Sequence, residues 1–273
     1  MEYEIKPAGK FRMNFSELWE YRELFYFFTW RDIKIKYKQT VLGIAWAVLQ
    51  PFLMMIVFTI FFGKALGISN SVGEVPYPIF VYSGLMLWNI FSSGLTNAAN
   101  SMVTNANIIK KIYFPRLIIP TSAILVPLFD FIIVIVIFAG LLVYYRFPVT
   151  GEMFLFIPLG LLITLFSTFG IGTFMAAVNV KYRDFKYVVP FLVQLLFFLT
   201  PVIYPVTILP SGWMQSLLSL NPMAGAIELT RASITGSPVN FNLILAGLAS
   251  SIVLFVIGII YFRKTEYYFA DLA

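Results

Sequence analysis

The chain contains no cysteine and no histidine. Disulfides, cysteine nucleophiles, imidazole general bases and the common zinc sites are thereby excluded together. Charge is scarce as well: 12% of residues are Asp, Glu, Lys or Arg, against about 25% in a typical soluble domain. A soluble chain of 273 residues would bury a large core and still need a charged surface, which this composition cannot supply. A phosphate-cradling loop is missing too. A P-loop needs G-x-x-x-x-G-K-[ST], but Gly9-Lys10 and Gly63-Lys64 are followed by Phe11 and Ala65 and lack the first glycine. Energy for any uphill movement must come from another chain or an ion gradient. The first 40 residues are polar and aromatic, without the short basic head and apolar core of a secretory signal. The first span is therefore expected to be an uncleaved anchor.

What the chain has is hydrocarbon: 60% of its residues are hydrophobic and 18% are aromatic. An apolar helix of about 20 residues crosses a bilayer core of roughly 30 Å. On that measure six spans are expected: Val41–Phe62, Pro78–Ala98, Leu117–Tyr144, Phe154–Val178, Val188–Tyr204 and Phe241–Phe262. The fold class that follows is an all-α integral membrane protein. It divides into a cytoplasmic N-terminus over 1–40, a six-span domain over 41–262 and a cytoplasmic tail over 263–273. With the N-terminus inside, sixteen of the nineteen Lys and Arg residues fall on the cytoplasmic side, leaving only Lys64, Arg146 and Arg231 outside. Such a bias obeys the positive-inside rule, and the reverse orientation breaks it. The net charge of +6 is thus a topology signal and not a nucleic-acid footprint.

Residues 14–30 (NFSELWEYRELFYFFTW) read as an amphipathic helix, with Leu18, Trp19, Phe25 and Phe28 near helical spacing. It would lie along the cytoplasmic interface or pack on protein. The cations Arg31, Lys34, Lys36 and Lys38 follow at headgroup level. Gln50-Pro51 interrupts the first span, since proline removes a backbone bond. The second span is polar, with Ser83, Asn89, Ser92, Ser93, Thr96 and Asn97, and belongs inside the bundle. Asp130 is the one carboxylate near the middle of a span. It is a transport group, a protonated hydrogen-bond donor, or a residue nearer an interface than these boundaries place it. Between Pro205 and Asn240 the chain is too apolar for a simple loop. Asn221-Pro222 reads as an N-cap with proline at the first helical position. Two short helices are expected there, re-entrant at the outer face or lying on it. The inner segment Asn105–Pro120 is a docking helix for a cytoplasmic partner or a positive-inside anchor.

Three function classes compete. A membrane transferase needs paired carboxylates or a metal cluster at a span end, and none is visible. A secondary transporter or channel usually carries more intramembrane ionisable groups than Asp130, and no internal repeat appears. A permease driven by a separate ATPase needs only six spans, inner docking loops and no nucleotide site, and fits best.

Several ordered motifs then become recognisable. They are Arg31-Asp32-Ile33-Lys34 leading to Tyr37-Lys38-Gln39-Thr40, Leu42-Gly43 through Gln50-Pro51, and Asn107-Ile108-Ile109-Lys110-Lys111 with Tyr113-Phe114-Pro115-Arg116. Arg183-Asp184, Thr200-Pro201-Val202-Ile203-Tyr204-Pro205 and Asn221-Pro222-Met223 complete the set. From about Leu24 to Tyr261 the chain resembles the transmembrane subunit of bacterial ABC polysaccharide exporters, most of all those for O-antigen, with teichoic acid and capsule exporters as alternatives. The resemblance implies a homodimer in the bacterial inner membrane with both termini cytoplasmic. It also implies two ABC ATPase subunits that hold the ATP and Mg, no cofactor in this chain, and a polyprenyl-linked polysaccharide as cargo. Asn107, Lys110, Lys111, Tyr113, Arg116, Arg183 and Asp184 would then couple to the ATPase. Trp213, Asn221, Pro222, Glu228 and Arg231 would build an outer gate. Rings suited to a sugar path are Trp46, Tyr82, Trp88, Phe197, Phe198 and Tyr204. Arg31, Lys34, Lys36 and Lys38 would meet the lipid pyrophosphate, or else only anionic lipid, and Arg31 has Asp32 as a nearby alternative partner.

Overall fold

The computed structural model describes residues 19–38, 41–182, 184–210, 212–236 and 238–269, with no strand among them. Helix α1 covers Arg22–Tyr37 and α2 covers Val41–Phe58, continued by a π-helical segment Thr59–Ala65. Next come α3 (Tyr77–Thr104), the short α4 (Ala106–Ile109), α5 (Ile118–Tyr144) and α6 (Met153–Lys181). The remainder is α7 (Phe185–Leu199), α8 (Trp213–Ser219), α9 (Pro222–Thr235) and α10 (Phe241–Thr265). The stretches Ala45–Ala65, Tyr77–Thr104, Ile118–Tyr144, Met153–Lys181 and Phe241–Thr265 are long and apolar enough to cross a bilayer. They coincide with five of the six expected spans.

The fifth expected span is shorter than its apolar run. Helix α7 holds 15 residues, about 22 Å at 1.5 Å per residue, and ends at Leu199 where Val188–Tyr204 had been expected. The cause is Pro201, which pushes the preceding residue out of the helical region. Thr200 is extended at φ −95, ψ 138. The first span errs the other way, running past Phe62 to Ala65. There Gly63 admits the Tyr77 ring, since a Cβ would stand 2.7 Å from it, and Ser69 Oγ donates to the Gly63 carbonyl at 2.9 Å.

Helix α6 is the hub, packed on α3, α9 and α10. These contacts are close because small residues line them, as the lack of a hydrophobic drive between helices in lipid requires. A Cβ at Gly170 would stand 2.5 Å from the α10 backbone at Leu254, and one at Gly247 3.0 Å from Gly225 of α9. Helix α9 is packed into the bundle, with Ala224, Ala226 and Ile227 wholly buried. Its N-cap is the one read from sequence: Asn221 Oδ1 accepts from Met223 N at 3.0 Å. Helix α8 sits on the bundle through Leu218 and leaves Trp213 and Leu217 exposed.

The N-terminal helix differs from its expected form. The expected helix started before Arg22, but residues 14–18 lie outside the described residues. Helix α1 continues past Trp30 to Tyr37 and packs along α5. Phe28 is buried against Phe114 (centroids 5.8 Å apart), while Trp19, Tyr26, Phe27 and Trp30 are exposed on other sides. Trp19 and Phe28 thus do not share a face. From Phe28 to Tyr37 the helix climbs about 13 Å.

Candidate functional site

One face of α3 carries Ser92, Thr96, Asn100 and Thr104, each four residues from the next, flanked by Ser93 and Asn97, so that they share a helical stripe. The stripe forms one wall of a groove of about 1010 Å³. Arg31 and Lys36 of α1 stand on a second wall, with Ala123 and Val126 of α5 and Pro190 and Val193 of α7 closing the rest. Among the described residues no aromatic ring lines it.

The charges along this groove are matched. Arg31 donates through Nε and Nη2 to Asp32 Oδ1 at 2.9 and 2.7 Å, and through Nη2 to Asn105 Oδ1 at 2.9 Å. Lys36 pairs with Asp130 Oδ2, and Tyr37 donates its hydroxyl to Asp130 Oδ1. Burial, then the hydrogen bond and the charge of Asp130, push the Tyr37 phenol above its usual range, so it stays the donor. Asp130 is therefore the anchor of α1 on α5, about 18 Å along α5 from Ile118. The four expected entrance cations stand in two groups. Arg31 and Lys36 face the groove, whereas Lys34 and Lys38 line a shallow pocket of about 360 Å³ on the outer side of α1, shared with Phe27, Trp30 and again Arg31. Lys34 Nζ lies 5.4 Å from the Trp30 ring centre.

The six expected path rings separate into packing and surface groups. Tyr82 is 0% exposed, stacked on Phe138 at 6.3 Å, with its hydroxyl on the Val134 carbonyl at 3.4 Å. Trp88 and Phe197 are buried and touch each other (5.4 Å), and Phe197 stacks on Phe58 of α2 (5.6 Å). These three rings tie helices together and offer no free face to a path, which corrects that expectation. Trp46 and Phe198 are outward, 57% and 55% exposed. Tyr204 is half-buried and donates to the Phe198 carbonyl at 3.2 Å. An aromatic-rich chain uses rings as its ordinary filler, so ring content alone could not separate the two groups.

At the end bearing Lys110 and Lys186, the turn after α4 protrudes. Ile109 and Phe114 are buried, while Lys110, Lys111, Ile112 and Tyr113 between them are exposed. Asn107 lies at the mouth of the groove. Tyr182, Asp184, Lys186 and Tyr187 are exposed at the same end, whereas Arg183 lies outside the described residues. Arg116 is not free to dock: its backbone N–H donates to Glu266 Oε1 at 3.1 Å and its Nη1 to the Glu266 carbonyl. It clasps the turn after α10, a partner 150 residues away that no local pattern announces.

At the opposite end, Arg231 is 3% exposed. Its guanidinium donates to the carbonyls of Pro201, Val202, Tyr204 and Phe80 and lies 3.6 Å over the Phe80 ring. Asn221 Nδ2 donates to Thr200 Oγ1 at 2.8 Å, and the Tyr77 hydroxyl to the Ile203 carbonyl at 2.7 Å. The unwound segment after α7 is thus held from three sides. Pro222 is buried, Glu228 is half-buried three residues before Arg231, and Trp213 is 70% exposed. Of the five residues expected at an outer gate, Asn221 and Arg231 converge on one segment and Trp213 stands apart. Among the described residues no cluster of His, Cys, Asp and Glu could hold a metal.

This architecture has known relatives. The model of the ABC-2 type transporter family matches residues 23–235. The O-antigen export system permease protein RfbA of Klebsiella pneumoniae is 30% identical over 244 residues, 89% of this chain and 92% of the relative. Its namesake in Myxococcus xanthus is 33% identical over 220 residues, 79% and 82% of the two chains. The polysialic acid transport protein KpsM of Escherichia coli is 25% identical over 245 residues, 86% and 91%. The matched segment takes in α1, the groove, the protruding turn and the buried α9, so the chain belongs to the ABC-2 type transporter family of membrane proteins.

Proposed function

We propose that this chain is the channel-forming permease subunit of an ABC exporter that carries a lipid-linked polysaccharide, an O-antigen, from the cytoplasm to the periplasmic side of the inner membrane. Two copies of the chain form the path and two ATPase subunits supply the energy, with ATP and Mg bound there and no cofactor here. The observation that carries this reading is the protruding Lys110–Tyr113 turn, pinned on both sides by Ile109 and Phe114, in a chain with no phosphate-cradling loop of its own. A rigidly anchored, exposed basic and aromatic turn suits a partner that pushes on it. The relatives named for O-antigen export support the cargo, and the KpsM likeness keeps capsule polymer as the second reading. A secondary transporter fits less well, since Asp130 is committed to Lys36 and Tyr37.

The test uses the purified chain alone and with its ATPase. Hydrolysis is expected only in the complex, and Lys110→Glu with Lys111→Glu is expected to lower coupled transport about tenfold, the effect of reversing charges on an interface rim. Unchanged transport in the double variant would leave these lysines a topology role only.

Orientation has its own measurement. We place the 1–40 and 263–273 segments, Lys111 and Lys186 on the cytoplasmic side, following the sixteen-of-nineteen cation bias. Cysteines introduced at Lys111 and Lys186 are expected to resist a membrane-impermeant thiol reagent in intact cells, and one at Ser71 to react. Labelling at Lys111 from outside would reverse the topology.

A further inference from the structure

The protruding turn after α4 has few fastenings of its own. From Tyr113 to Leu117 no amide donates to a backbone carbonyl among the described residues. The Arg116 amide is satisfied instead by Glu266 Oε1, at 3.1 Å. Glu266 caps the C-terminus of α10, where carbonyls run out of helical partners and the helix dipole favours a cation. The Glu266 carbonyl accepts from the Arg116 guanidinium and from the Phe269 amide together. Arg263, three residues back on α10, donates to Glu266 Oε2 at 3.0 Å, which leaves Oε1 for the Arg116 amide. Phe269 itself is 1% exposed, its ring 5.1 Å from Phe262, in one buried cluster with Ile109, Phe114 and Phe28. The short turn Glu266–Tyr268 that follows α10 thus backs the exposed Lys110–Tyr113 tip.

We propose that Glu266 is a positioning residue for energy coupling: it ties the turn that the ATPase pushes to the end of α10, so that turn and helix move as one. The proposal rests on the reading of the chain as an ATPase-driven permease and of this turn as the docking point. A push on an exposed tip moves the bundle only if the tip cannot fold away. Through Pro115 and Leu117 the tip joins α5 directly. Through Arg116 and Glu266 it joins α10 as well. Helix α10 packs on α6 and α9, and α9 carries Arg231 at the far end of the bundle. A displacement that reaches α10 is therefore delivered beyond the corner between α4 and α5. Without the Glu266 link the ATPase still binds the tip and still hydrolyses ATP, but the turn yields and the displacement is lost.

The experiment expresses the full chain with its ATPase in the host cells, in place of the chromosomal copy. Surface polysaccharide is measured by periodate and silver staining, and ATP hydrolysis and melting temperature on the purified complex. Glu266→Ala is expected to lower surface polysaccharide about tenfold, as for the loss of a charge-assisted hydrogen bond. Hydrolysis and recovery of the complex should stay at wild-type values, with the melting temperature within about 5 °C of wild type. Glu266→Gln loses the ion pair with Arg263 but keeps an oxygen for the Arg116 amide, and should restore the polymer to within about threefold of wild type. Full export by Glu266→Ala overturns the proposal, as does failure of Glu266→Gln to recover it. A loss of hydrolysis, of assembly or of melting temperature that accompanies the loss of export makes Glu266 a residue of the fold or of docking, and also overturns it. Normal surface polysaccharide in cells that lack this chain altogether instead overturns the export reading beneath it.

Discussion

Arg231→Met lowers the melting temperature of the detergent-solubilised protein by about 10 °C, the shift expected at ~2–4 °C per kcal/mol for a chain of this class when a buried charged partner costing about 3–5 kcal/mol is removed. The guanidinium is the common donor to four carbonyls, three of them in the unwound stretch after α7. Methionine fills the volume and donates nothing, so Pro201, Val202 and Tyr204 lose the partner that stands in for helix hydrogen bonds. Arg231→Lys should also fail, with a smaller loss, because one ammonium cannot span carbonyls spread over two segments as a planar fork does. A melting temperature within about 2 °C of wild type in both variants would mean that Asn221 and Tyr77 suffice to hold the segment.

Much of this scaffold was legible from sequence because membrane helices declare themselves by length and hydropathy. The spans over α3, α5, α6 and α10 follow their apolar runs, and Asn221-Pro222 announces the start of α9 locally. The failures lie where one residue overrides a run. Pro201 stops α7 inside an apolar stretch that reads as continuous. Within the π-helical segment after α2, Gly63 lies against the Tyr77 ring, a contact 14 residues away in sequence.

The site was less legible, for a related reason. Asp130 stood out as an isolated intramembrane carboxylate, but its partners lie 93 and 94 residues earlier, past Trp30, where the interface helix was expected to end. Arg231 was visible as one of three cations against the topology bias. Its carbonyl partners come from a segment that unwinds only because of Pro201. The groove did leave a signal: Ser92, Thr96, Asn100 and Thr104 recur every four residues. Read only as evidence that α3 is internal, that period also names the wall of a wet groove. Rings drew the attention instead, and half of those chosen prove to be the packing between α2, α3, α5 and α7.

Substitution at the crossing of α6 and α10 tests whether glycine contacts hold the bundle together. A Cβ on Gly258 would stand 2.0 Å from the Gly170 carbonyl oxygen and 2.8 Å from Thr173 Oγ1. The nearest obstacle is backbone, so no side-chain rotation relieves it, and α10 must move off α6. Overpacking of this kind typically costs about 1–3 kcal/mol and occasionally more. Gly258→Ala belongs at the top of that range, and Gly258→Val beyond it. The damage should spread, because α10 also meets α9 at the Gly225–Gly247 approach, and α9 carries Arg231. Displacing α10 therefore loosens the clamp on the α7 end as well. Gly140→Ala in α5 is the control: nothing lies within 4 Å of its Cβ, and alanine in a helix interior gains about 0.5–1 kcal/mol over glycine. Thermal unfolding in the same detergent should therefore rank Gly140→Ala at or above wild type, and Gly258→Ala well below it. Equal melting temperatures for the two variants would show that the α6–α10 crossing opens without cost, and that small residues there do not set the approach of these helices.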